Sequence, residues 1–152
     1  MRLKTQGEAR LDVVNVYVPT DNREQKEFLD SFNKKIISLT DTSNLVMAGD
    51  WNTTISPLGK QGGLTWEETK YRNSLIHFIK EINLVYRAMH PKNKSNTYES
   101  KPLKLKSRRD FFLVSGKYKP DITKVETRLS IAADHKAVFL SMNVNEEFKR
   151  GQ

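Results

Sequence analysis

Four short clusters in the 152-residue chain set chemically able side chains beside apolar runs. They are Asn15 to Thr20 (NVYVPT), Gly49 to Thr53 (GDWNT), Ser107 to Ser115 (SRRDFFLVS) and Ala133 to Leu140 (ADHKAVFL). Between them they offer a carboxylate–amide pair (Asp50, Asn52), an acid at the head of an apolar run (Asp110), an Asp–His pair (Asp134, His135) and a phenol (Tyr17). Such groups accept, hold and return protons. Each also has a purely structural reading. Asp and Asn tolerate tight turns, an Asp–His pair after two alanines makes a loop corner, and Tyr17 can pack in a β-rich core with its hydroxyl satisfied. Asp110 is hardest to read that way, because an unpaired carboxylate at the start of a strand is costly to bury. His77 and His90 have no comparable setting.

The elements that must position these groups follow from the apolar pattern. Leu11 to Val18 is rich in β-branched residues and predicts a strand buried on both faces. Asp21, with Glu24 three residues on, predicts a helix start. Phe28, Phe32 and Ile36, joined by Leu29 and Ile37, form one apolar stripe along about five turns. Leu45 to Ala48 predicts a short buried strand broken by Gly49, completing a β-α-β unit. Functional residues gather beyond the carboxyl ends of strands in such units, where Gly49 to Asn52 falls. Thr65 and Glu68 form a second capping box, followed by Tyr71, Leu75, Phe78, Ile79 and Ile82 at helical spacing. After a polar loop from Pro91 to Asn96, four strands are expected: Thr97 to Ser100, Asp110 to Ser115, Ile122 to Leu129 and Ala137 to Val144.

Composition narrows the class. Lys and Arg number 26 against 18 Asp and Glu, a formal charge of +8, which points to an anionic partner. There is no cysteine, so thiolate metal sites and cysteine nucleophiles are excluded. A mean hydropathy of −0.65 and apolar runs of only a few residues offer no membrane span, and an intracellular location, nucleus or cytoplasm, is expected. Lys92 to Lys124 holds ten basic residues against Glu99, Asp110 and Asp121, so most of the positive excess surrounds the Asp110 cluster. A phosphate backbone would be drawn to this surface, with Arg108, Lys104 and Lys106 as candidate contacts; a merely solvated basic face is the competing reading.

As an ordered set, NVYVPTDN, GDWNTT, SRRDFFLVS and DHKAVFL resemble motifs of the endonuclease/exonuclease/phosphatase superfamily, above all the apurinic-endonuclease-like endonuclease domains of LINE-type (non-LTR) retrotransposons. The resemblance runs from about Leu11 to Val144. It implies an α/β (α+β) fold, a truncated β-sandwich of DNase I-like type flanked by helices, over residues 1–145, with a solvated tail at 146–152. It implies metal-dependent hydrolysis of a DNA phosphodiester, with Mg²⁺ or Mn²⁺ as cofactor. By resemblance, Asp50 activates or orients water and Asn52, sharing its face of an extended segment, holds water or phosphate. His135 donates to a phosphate oxygen, Asp110 holds the His135 ring, Asp134 serves the metal or the leaving oxygen, and Tyr17 hydrogen-bonds the phosphate. DNA is the implied partner, with a reverse transcriptase in a parental element, and the chain is expected to act as a monomer. A non-catalytic nucleic-acid-binding remnant and a phosphatase or phosphodiesterase relative are the alternatives.

The sequence departs from that pattern in places. The family's first strand with its Asn, and a metal-binding Glu beyond it, are not seen before Leu11, and Glu8 has no motif around it. Weak or no turnover by this chain alone is therefore expected. Arg109 stands where the pattern has an apolar residue, and on alternation it shares a face with Phe111 and Leu113, a costly place for an unpaired charge. Ala133 replaces a Ser, and Asn83 to Arg87 looks shortened.

Overall fold

A computed structural model of the chain describes residues 2–4, 10–56, 59–87, 96–129 and 134–143. Glu8, His90, Lys92, Lys94, Ala133 and the 146–152 tail lie outside them. The β-branched run forms β2 (Arg10–Tyr17), preceded by a short strand, β1 (Arg2–Lys4). Asp21 caps α1 (Asn22–Leu39), its carboxylate accepting from the N–H groups of Arg23 and Glu24. The chain returns in β3 (Leu45–Asp50), parallel to β2, so the first unit is β-α-β. Thr65 and Glu68 make a reciprocal capping box at the head of α2 (Trp66–Glu81). There follow β4 (Leu84–Arg87), the hairpin of β5 (Tyr98–Ser100) and β6 (Leu105–Ser107), then β7 (Asp110–Ser115), and last the hairpin of β8 (Ile122–Arg128) and β9 (Ala137–Met142).

The main sheet has the order β1-β2-β3-β7-β4, with β7 antiparallel to both its neighbours. Its helix-side face holds the core: Val16 of β2 and Val18 just beyond it, Met47 from β3 and Phe111 and Leu113 from β7 meet Leu29 and Ile36 of α1 and Leu75 and Phe78 of α2. Phe32 sets its edge against both Trp51 and Phe78, tying the helix layer to the sheet. On the other face the start of β9 lies over β7, and Asn15, Ala48, Phe112, Lys136 and Val138 line a cleft of about 200 Å³. Among the described residues no helix is long and apolar enough to cross a membrane.

Four expectations need correction. The Leu11 to Val18 run is buried on one face only; Asn15 and Tyr17 are exposed, because the helices cover just one side of β2. Ile37 is exposed, lying off the stripe that Leu29 and Ile36 bury. Gly49 does not break β3, which continues to Asp50. Here φ is +151°, and a Cβ would sit 1.8 Å from the carbonyl oxygen of Val16, its partner on β2, so the parallel strands close up through a position that only glycine can fill. Finally, β1, β4 and β6 are strands of three or four residues that periodicity does not pick out.

Candidate active site

The register of the sheet builds the site. Tyr17, Asp50 and Asp110 are partners across β2, β3 and β7, so their side chains form one row on the face away from the helices. The next residue after Asp50 points the opposite way: Trp51 is fully buried, stacks on Phe111 with ring centroids 5.3 Å apart and donates its indole N–H to the Phe111 carbonyl at 3.1 Å. This anchor fixes the end of β3. Asn52 then adopts a left-handed conformation, φ +46°, which asparagine tolerates better than most residues. Its backbone N–H donates to Asp50 Oδ1 at 2.9 Å, closing a turn around the carboxylate. Asn52 therefore does not follow Asp50 along an extended segment, and the alternation expected from the sequence does not apply there. Its side-chain N–H₂ donates to the Val18 carbonyl, and its Oδ1 accepts from Arg109 Nη1 at 2.8 Å.

His135 arrives from the far end of the chain, on the segment leading into β9. Tyr98 and His135 form an isolated antiparallel bridge, with Glu99 N–H donating to the Asp134 carbonyl at 2.9 Å and Lys136 N–H to the Thr97 carbonyl at 2.7 Å. These backbone bonds hold the imidazole against Asp110, with Nδ1 at 3.0 and 3.1 Å from the two carboxylate oxygens. An ionised carboxylate only accepts, so this pairing puts a proton on Nδ1 and turns Nε2 toward Asp50. Nε2 lies 3.7 Å from Asp50 Oδ2, too far for a direct hydrogen bond and close enough for one oxygen atom to bridge.

The buried hydroxyl of Thr97 sets the head of β7, accepting from Arg109 N–H at 3.0 Å and from Asp110 N–H at 3.1 Å. Thr97→Val keeps the shape and strands both donors. It is expected to lower stability by about 2 kcal/mol in urea unfolding; a change too small to measure would remove Thr97 from this account.

Burial pushes the Asp50 carboxyl above its ordinary range, and the neighbouring Asp110 adds to the shift; the Asn52 N–H, His135 and Arg109 oppose it without cancelling it. A carboxyl that binds its proton more tightly when folded favours folding below its ordinary value of 3.8 and loses that advantage as pH rises through the folded value. Asp50→Asn removes the buried charge. Its thermal midpoint is expected to exceed that of the parent at neutral pH, and the gain to vanish at about pH 3. Equal midpoints at neutral pH would contradict the burial argument.

Ligand atoms of Asp50, Asp110 and His135 all lie within 4.8 Å of one another, a group able to hold a metal ion. Its two carboxylates fit a hard divalent cation, since His135 Nδ1 is already engaged by Asp110. Asp134 stands apart: it is exposed, outside that group, and joined to β5 through its carbonyl. Tyr17 is 70% exposed, in the row with Asp50 and not in the core. Lys104, at the β5–β6 turn, is exposed with φ +48°, Lys106 pairs with Glu99 at 3.2 Å, and Arg108 is half-buried with its N–H on the Gly59 carbonyl. A cleft of about 580 Å³ between α1 and α2 shares no residue with this cluster.

Solved structures share this fold. The endonuclease domain of TRAS1, a telomere-specific non-LTR retrotransposon, matches with a TM-score of 0.70 and 14% identity, over 93% of this chain and 59% of that one. An AP endonuclease from Archaeoglobus fulgidus matches at 0.71 and 18%, over 94% and 64%. The 3' phosphatase NExo from Neisseria, bound to product DNA hairpin, matches at 0.70 and 18%, over 92% and 63%. The chain shares the fold of these structures, which are of the endonuclease/exonuclease/phosphatase superfamily. No family model matches the sequence, and no curated protein does. The chain spans less than two thirds of the length of each of these structures. Within this endonuclease/exonuclease/phosphatase fold, sequence reasoning missed two positioning residues, Thr97 and Tyr98, whose contacts are with segments remote in the chain. Arg109 carried a signal, as a charge where the pattern has an apolar residue. It lies one residue before β7, and its guanidinium turns to Ser107, Asn52 and Tyr98 instead of entering the core beside Phe111 and Leu113.

Proposed function

We propose that the chain carries the proton-handling half of a phosphodiester-hydrolysing site that acts on DNA. The observation that carries this reading is the meeting of His135 with Asp110 on one nitrogen and Asp50 facing the other. In it, Asp50 takes a proton from, or orients, the attacking water, which its raised carboxyl suits. His135, in its imidazolium form with the Nδ1 proton held by Asp110, delivers a proton from Nε2 to an oxygen on phosphorus. Asn52 frames the Asp50 turn, and the exposed phenol of Tyr17, in the same row, is within the reach of a phosphate lying across the strand ends. The carboxylates of Asp50 and Asp110 would hold Mg²⁺ or Mn²⁺, whose charge offsets that building on the phosphoryl group. Lys104, Lys106 and Arg108 supply a basic flank suited to the DNA backbone. Asp134 remains a candidate for the leaving-oxygen side.

Turnover is proposed to be weak, because among the described residues no third carboxylate joins the cluster. The test is nicking of supercoiled plasmid by the pure chain in Mg²⁺ or Mn²⁺. Slow, metal-requiring nicking that stops with a chelator is expected. Salt-sensitive DNA binding with no cleavage in either metal would leave a binding module, and hydrolysis of inositol phosphates or small phosphodiesters without action on DNA would point to a phosphatase relative.

A further inference from the structure

The charge at position 109 has no place in an apolar strand start, yet it is well partnered. Arg109 Nε donates to the buried hydroxyl of Ser107 at 3.0 Å, and Nη1 donates to Asn52 Oδ1 at 2.8 Å. The guanidinium also lies 4.0 Å over the Tyr98 ring, a favourable cation–π distance. Two consequences follow from donor chemistry. A guanidinium only donates and the Val18 carbonyl only accepts, so the Asn52 amide, held between them, has a single orientation and cannot flip. The Tyr98 ring under the cation is also 4.9 Å from the His135 imidazole, and the Tyr98 backbone bridges His135. One planar fork therefore touches the Asp50–Asn52 turn directly and reaches His135 through Tyr98.

We propose that Arg109 is a positioning residue, fixing the Asn52 amide against the Asp50 turn and bracing His135 through the Tyr98 ring. This deepens the nuclease reading and, as to rate, rests on it. Lysine is the discriminating replacement. It keeps the positive charge, but a single ammonium on a flexible stem cannot bond Ser107 and Asn52 in one plane while lying on Tyr98.

The experiment compares the native chain with Arg109→Lys, using ¹⁵N NMR of the Asn52 side-chain amide and plasmid nicking. The native Asn52 N–H₂ is expected to give two resolved, slowly exchanging protons; in Arg109→Lys they should shift and exchange with water about tenfold faster. Nicking should fall about tenfold in kcat with KM changed less than about twofold, since misplaced groups lose rate before binding. Adding Asn52→Ala to Arg109→Lys should cost little more, because both act through the same amide. Unchanged Asn52 amide signals overturn the proposal, as do rate losses that simply multiply. If the native chain cuts no DNA, the nuclease reading fails, and the amide signals alone decide whether Arg109 holds Asn52.

Discussion

His135→Ala is expected to lower plasmid nicking by about 10²–10³-fold, the largest loss of activity from any single replacement. The two carboxylate oxygens of Asp110 lie 3.0 and 3.1 Å from Nδ1 and so commit the other ring nitrogen to face Asp50. Among the described residues, Asp50, Asp110 and His135 alone cluster in this way, so no neighbour stands ready to replace the imidazole. The loss should be of rate and not of fold. The ring is 30% exposed, and the backbone bonds that hold residues 134–136 to β5 do not involve the side chain. Circular dichroism should stay unchanged and the thermal midpoint should move by only a few degrees. Asp110→Asn should lose less than His135→Ala, because the imidazole remains while its preferred tautomer is no longer enforced. Nicking by His135→Ala at the parental rate would remove the imidazole from the mechanism.

Gly49→Ala is expected to have the opposite profile, a large loss of stability from a residue that performs no chemistry. The added carbon would meet the Val16 carbonyl oxygen at 1.8 Å and the Val16 carbonyl carbon at 2.7 Å. The obstructing atoms are backbone, so no rotamer change relieves the clash; β2 and β3 must part. They carry neighbouring members of the site row, Tyr17 and Asp50, one residue beyond the contact. A destabilisation above about 4 kcal/mol is expected, which is a large fraction of what a domain of this size possesses. Urea unfolding should show a midpoint far below that of the parent, or no cooperative transition at all. A midpoint within experimental error of the parent would mean that the two strands have more freedom than their register implies.

What was legible in the sequence was local. Asp21 and the Thr65–Glu68 pair mark helix starts because a cap is made within a few residues, and both helices begin where those residues put them. The bounds of β7 follow from an uninterrupted apolar run between Asp110 and Ser115. The nearness of Asp50, Asp110 and His135 could not be read from spacing, because it depends on which strands pair and in which register; resemblance nominated the residues, and register brings them within reach. The misses have the same origin. Gly49 reads locally as a strand breaker, whereas its partner Val16, on another strand, requires it to be bare. Asn52 reads as an alternating strand residue, whereas the Trp51 anchor turns the chain. Arg109 reads as a misplaced charge until Ser107, Asn52 and Tyr98 are seen around it. The strands β1, β4 and β6 are too short to show any period and exist because a neighbour pairs with them.

The way His135 is held also sets when the site can exist. Its ring needs Asp110 of β7, its peptide neighbours need Thr97 and Glu99, and the segment that follows it pairs with β8. None of these tethers is a helix or a tight turn that could form early, and long-range pairings of this sort are the slow steps of folding. Asp50 and Asp110 both precede His135 in synthesis, so on a translating ribosome the trio cannot close until the segment bearing the imidazole has been made and has paired with Thr97 and Glu99.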